Sequence, residues 1–246
     1  MRTLGIDLSA NPDKTGACSI DWDTGTLKFI DRPASDEMLV EAIAAADMTG
    51  IDIPLGWPDR FVAAINSHHR LDPWPPAATQ PPLDREPLRF RVTDLITRAG
   101  GAQPLSVSTD RIGVAAMRGA RLQHLLREAS VDVDRSGTSG KLAEVYPAAA
   151  LRRWAFTSSG YKGRANAAVC QVLANTLAEA CGPLADTVAQ SLNGCDDDDL
   201  DAVVCSIVAR AVLRGQTASP SSEHLEVARR EGWIHVPQVS IHNIIG

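Results

Sequence analysis

Through the first fifty residues apolar and polar positions alternate in short runs separated by turn formers, the pattern of closely connected β-strands. Thr3-Leu4-Gly5-Ile6-Asp7-Leu8 reads as a strand, Asn11 to Gly16 as a turn, and Ala17 to Trp22 as a second strand. Asp23-Thr24-Gly25 then turns the chain into Thr26-Leu27-Lys28-Phe29-Ile30, which predicts a three-stranded antiparallel meander. Next the period changes. Ser35, followed by Asp36 and Glu37, opens a helix whose apolar side is Met38, Leu39, Ile43 and Ala46. Gly50-Ile51-Asp52-Ile53-Pro54-Leu55-Gly56 is a fourth strand, ended by Pro54. Because a helix separates it from the meander, its expected partner is the first strand, in parallel, through a right-handed crossover. That pairing sets Asp7 beside Asp52.

Residues 72 to 87 contain six of the fifteen prolines, which predicts a surface excursion there. Beyond it, Gly113 to Ser130 has helical spacing through Met117, Leu122, Leu125 and Leu126, and Leu142 to Tyr146 is a fifth strand stopped by Pro147. Residues 148 to 194 read as mostly helical. Asp196 to Leu213 gives the clearest helix, with Leu200, Val203, Val204, Ile207, Val208 and Val212 on an apolar side and Gly215 past its end. The tail from Ser221 carries a short helix and then an extended Trp233 to Pro237. The expectation is one α/β domain over residues 1–246. It has a mixed sheet, a meander plus parallel strands, with flanking helices and a helical, proline-rich insertion at about 57–112.

At 246 residues such a domain can bury a full core without disulfides. The formal charge of −6 argues against a surface that coats DNA or an anionic membrane throughout, so a nucleic-acid site has to be regional. Five cysteines with no Cys-x-x-Cys pair suggest neither a disulfide framework nor a zinc ribbon, and fit a reducing cytoplasm. Asp7 interrupts any apolar leader and Arg210 breaks the most apolar run, so neither a signal peptide nor a membrane span is expected.

The candidate chemistry is acidic. In parallel regions of α/β sheets ligands sit beyond the carboxyl ends of the strands, where Asp7 and Asp52 emerge. On the late helix Asp201 shares a face with either Asp198 or Asp197. Clustered carboxylates repel unless a cation joins them, and hard oxygens suit Mg²⁺ or Mn²⁺, two of which can cleave a phosphodiester. Glu144, in the fifth strand, is a further carboxylate facing either that edge or solvent. Against this reading, Asp196 to Asp199 is also an ordinary dipole-stabilised helix start, and a strand-end Asp7 in water needs no partner.

Gly5-Ile6-Asp7, Ile51-Asp52-Ile53-Pro54-Leu55-Gly56, Arg91-Val92-Thr93-Asp94, Glu144-Val145-Tyr146-Pro147-Ala148, Tyr161-Lys162, Asp197 to Ala202 and Glu231-Gly232-Trp233-Ile234 together resemble the family called domain of unknown function 429. The motifs run in order along nearly the whole chain. The resemblance implies a ribonuclease H-like fold and a predicted nuclease. It implies that Asp7 and Asp52 bridge or flank metals, that Asp198 and Asp201 close the site, and that Lys162 or Arg91 meets a phosphate unless Asp94 holds Arg91. Glu144 joins the catalytic set on the same ground.

Between Arg85 and Arg127 eight arginines face three acids, a local excess that is either a phosphate-binding patch or a solvated, salt-bridged face. Gly137 to Leu142 is too short for a phosphate loop and lacks the final Ser or Thr. Ser139 has Lys141 where a serine-hydrolase elbow needs glycine, and His68-His69 has no matching ligand spacing. Three functions stay in play: a Mg²⁺- or Mn²⁺-dependent nuclease, a non-catalytic binding protein of the same fold, and an ATP-dependent phosphotransferase of the actin-like superfamily. The last would need a second copy of the fold.

Overall fold

The computed structural model describes residues 1–74 and 85–246, so most of the expected proline-rich excursion lies outside the described residues. The meander forms as β1 (Arg2–Asp7), β2 (Gly16–Asp21) and β3 (Thr26–Phe29). Helix α1 (Asp36–Ala45) follows, with the Ser35 hydroxyl accepting from the Met38 amide, and leads into β4 (Met48–Asp52). Helices α2 (Asp59–Arg70), α3 (Glu86–Arg89), α4 (Val92–Ala99) and α5 (Gly113–Glu128) come before β5 (Leu142–Val145). Then come α6 (Pro147–Arg153), α7 (Ala167–Ala180), α8 (Ala185–Ser191), α9 (Asp197–Leu213), α10 (Leu225–Glu231), β6 (Ile234–His235) and α11 (Ile241–Ile245).

These strands make one mixed six-stranded sheet in the order β3-β2-β1-β4-β5-β6. Both meander pairings are antiparallel; β1 with β4, β4 with β5 and β5 with β6 are parallel. The tail segment read only as extended is thus the sixth strand, and α11 was not anticipated. Two residues of β6 are too few for a period to register.

Helices cover both faces. On one, α1 and α5 bury Leu39, Ile43, Leu122 and Leu126 against Leu4, Ile6 and Ile51. On the other lies α9, covered in turn by α6, α7 and α11. The expected one-sided pattern of α9 is therefore incomplete: Ala202, Cys205, Ser206, Ala209 and Ala211 are as buried as its leucine and valines, because the helix is enclosed between sheet and outer helices. Met117, assigned to the apolar side of α5, is instead 65% exposed.

Three glycines set how closely α9 approaches. A Cβ on Gly5 would lie 1.9 Å from the Ala202 carbonyl oxygen, one on Gly16 2.1 Å from the Asp198 oxygen, and one on Gly50 2.4 Å from the Cys205 oxygen. Gly5 and Gly50 are paired across β1 and β4, so the helix backbone rests on bare strand backbone. Ser206 Oγ adds a 2.8 Å hydrogen bond with Thr3 Oγ1, which also accepts from the Trp22 indole at 2.8 Å. No helix among the described residues is long and apolar enough to cross a membrane. The five cysteines are all free thiols.

Candidate functional site

Strand parity decides which acids meet. Successive side chains alternate between faces; Gly5 and Gly50 face α9, so Asp7 and Asp52, two residues later, face it too. The register pairs Asp7 directly with Asp52 at the carboxyl ends of β1 and β4. Above them the close approach of α9 lowers Asp201, which is fully buried. The Tyr161 hydroxyl donates to Asp201 Oδ1 at 2.8 Å, and Lys162 Nζ lies 2.5 Å from Oδ2.

The electrostatics follow from that crowding. Burial raises the Asp7 carboxyl well above its ordinary value; Lys162 opposes the rise, and the charges of Asp201, Asp52 and Asp198 add to it. Asp52 is pushed up to about 7 by burial first, against the pull of Lys162, with Asp201 and Glu144 raising it further. Burial likewise raises Asp201, countered by Lys162 and Tyr161. For Lys162 desolvation works downward, but Asp201, Asp7 and Asp52 override it and hold the ammonium above its usual value. One half-exposed cation therefore serves three adjacent carboxylates.

The four consecutive aspartates divide. Asp196 caps α9, its carboxylate accepting from the Asp199 amide, and binds Arg32 at 2.5 Å; Asp199 takes Arg32 also at 2.5 Å. Asp197 accepts from the Gly163 amide at 3.0 Å, tying down the segment that carries Lys162. Asp198 is raised to about 6 by burial and by Asp196 and Asp197, and its charge acts on Asp7. Among the described residues no three His, Cys, Asp or Glu side chains are arranged to hold a metal ion as they stand.

Two expected site residues belong elsewhere. Glu144 is in register with Ile51, not Asp52, and so points to the opposite face of the sheet. There Arg91 meets it through Nη2–Oε1 at 2.6 Å and Nη1–Oε2 at 2.7 Å, and the Leu55 amide donates to Oε2 at 3.0 Å. Arg91 also donates twice to Asp94, at 3.1 and 2.8 Å, and to the Glu231 carbonyl at 3.0 Å. All five guanidinium N–H groups are committed, and the side chain is 1% exposed. The expectation that Arg91 meets a substrate phosphate is corrected: no donor remains. Glu144, expected in the catalytic set, has both oxygens engaged by Arg91 and one also by the Leu55 amide. Together they lock the turn after β4, and hence the end of the strand that carries Asp52.

Glu231 completes this knot, accepting from the Asp59 amide at 2.8 Å and the Val92 amide at 2.9 Å. Gly232, at φ 90°, passes where a Cβ would sit 2.7 Å from Glu144 Oε2. The sequence reading missed Tyr161 as a site residue. Its only signal was its place in a motif beside Lys162.

Half of the eight arginines of the arginine-rich segment are in ion pairs among the described residues. Arg91 pairs with Asp94 and Glu144, Arg98 with Glu86, and Arg118 and Arg121 both with Asp36. Arg111 is different. It lines a cavity of about 400 Å³ whose wall also includes Asp52 and Lys162, so that this space reaches the edge of the carboxylate cluster.

No curated protein and no solved structure matches the chain significantly. The profile of one family, described as a protein of unknown function (DUF429), matches residues 5–225 and so takes in both the carboxylates and the residues of the buried knot up to Glu144: the chain belongs to that family.

Proposed function

We propose that the protein is a Mg²⁺- or Mn²⁺-dependent phosphodiesterase of ribonuclease H-like fold, acting on nucleic acid. The observation that carries this reading is the convergence of Asp7, Asp52 and Asp201, from two parallel strand ends and one helix, at a point where Lys162 is the adjacent cation. The order β3-β2-β1-β4-β5, an antiparallel meander continued by parallel strands, supports the fold assignment.

The donor set suits a divalent cation: hard carboxylate oxygens, raised by burial first and then by one another, with a shortfall of positive charge. Asp7, Asp52 and Asp201 would hold the ion, with Asp198 beside them. When bound it would polarise the attacking water and stabilise the leaving oxygen. A bound cation would compete with Lys162 for Asp201, and the long lysine stem would let its ammonium turn toward a substrate phosphate. Tyr161 keeps Asp201 oriented through its hydroxyl. Arg91 and Glu144 are positioning residues that fix the backbone beyond Asp52.

The test is cleavage of end-labelled single-stranded, hybrid and branched nucleic acids with Mn²⁺, by wild type and by Asp7→Asn. Cleavage by wild type should stop on chelation. Asp7→Asn should fold and lose at least about 100-fold in rate, since even the partners behind metal ligands cost 10- to 100-fold. Cleavage that survives both changes overturns the proposal. Nucleic-acid affinity without cleavage, indifferent to chelator, would favour a binding protein.

A further inference from the structure

The cavity beside the carboxylates has a chemistry of its own. Its volume, about 400 Å³, falls in the range of small-molecule sites, large enough for one nucleotide and far too small for a duplex. Asp52 and Lys162 line the end next to the carboxylate cluster. Arg111 lines it as well, exposed and, among the described residues, in no ion pair, unlike Arg91, Arg98, Arg118 and Arg121. Ser158 and Ser159 add hydroxyls without protein partners among the described residues. Asp94 and Glu144 line it too, both engaged by Arg91, and the remaining wall is mostly apolar. Tyr146 presents a half-buried ring, anchored by its hydroxyl to the Gln103 carbonyl at 3.2 Å, and Leu105 is a large apolar side chain left 44% exposed there.

A free guanidinium, a lysine and hydroxyls match a phosphate, the guanidinium fork binding it in two places. An aromatic ring and a leucine match the flat face of a base. We propose that this cavity is a subsite for a single nucleotide unit. Arg111 and Lys162 receive its phosphate, and Tyr146 and Leu105 receive its base. This rests on the phosphodiesterase reading and narrows it: substrates present an unpaired nucleotide, at a strand end or flipped from a helix, and the interior of an intact duplex is refused.

The probes are adenosine 5′-monophosphate and ribose 5-phosphate, titrated by calorimetry into the full chain with chelator present, so that no metal contributes. We expect the monophosphate to bind, ribose 5-phosphate to bind at least tenfold more weakly, and Arg111→Ala to weaken the monophosphate at least tenfold. Leu105→Trp, which fills the cavity from an exposed position, should abolish binding. In parallel, wild type and Leu105→Trp are compared for Mn²⁺-dependent cleavage of single-stranded and blunt duplex DNA. Monophosphate binding with these losses, but no cleavage of any substrate, would uphold the subsite and remove the phosphodiesterase. Equal affinity in wild type and both variants, no binding by wild type, or equal cleavage of duplex interiors by wild type and Leu105→Trp would remove the subsite and leave the phosphodiesterase standing.

Discussion

Asp52 carries a cost that a cation would relieve. Its carboxyl is raised from 3.8 to about 7 in the folded chain. A raised folded pKa gives a contribution to stability that is complete below 3.8 and is lost as pH rises through about 7. The metal-free protein should therefore be more stable at pH 6 than at pH 8, by about 1 kcal/mol from this residue alone. Chemical denaturation at the two pH values checks the sign, and Asp52→Asn should reduce the difference while stabilising the metal-free chain at pH 8. A wild type more stable at pH 8 would mean that the carboxylates are better compensated than their surroundings suggest. Lys162→Met sharpens the contrast: the metal-free melting temperature should fall, more at pH 8 than at pH 6, and Mn²⁺ should restore it.

At the scale of elements, the site depends on one helix lying directly on two strands. Gly5→Ala would drive a methyl into the Ala202 carbonyl and push α9, with Asp201, off the sheet. It should cost more than about 4 kcal/mol in urea denaturation, beyond ordinary substitutions; a loss under about 1 kcal/mol would show that α9 can shift freely. The buried knot behind β5 has a different signature. Glu144→Gln leaves the Arg91 charge partly uncompensated and should destabilise by about 3–5 kcal/mol, with a smaller loss of cleavage per folded molecule than Asp7→Asn causes. A collapse of activity in a folded Glu144→Gln would return that residue to the catalytic set.

Strand period and turn residues were enough to read the meander, the β1–β4 pairing and α9, because each rests on local pattern. The Asp7–Asp52 juxtaposition follows from the helix between the two strands, which calls for a parallel crossover pairing. The face of Glu144 stays open in the sequence because β5 pairs with β4 one residue out from the acid, and a register between distant strands leaves no mark on either sequence. Arg91 was left open for the same reason: Asp94 is three residues away and visible, whereas Glu144 and Glu231 are brought in only by the fold. Arg111 could not be told from the other arginines until their partners were known.

Over the whole molecule, the net charge of −6 and the ion-paired half of the arginine-rich segment weigh against an extended basic tract for a polyanion. If Arg111 and Lys162 are the phosphate contacts, single-strand affinity should fall with salt at a log–log slope of about −1.4, from about −0.7 per contact. A slope steeper than about −4 would mean a wider basic tract than this surface offers. The carboxylate cluster is the point on which everything else turns, and it can be tested without choosing a substrate. Crystals soaked in Mn²⁺ should give anomalous density among Asp7, Asp52 and Asp201, with Lys162 drawn away from Asp201. Density elsewhere only, with Lys162 still bound to Asp201, would contradict the account.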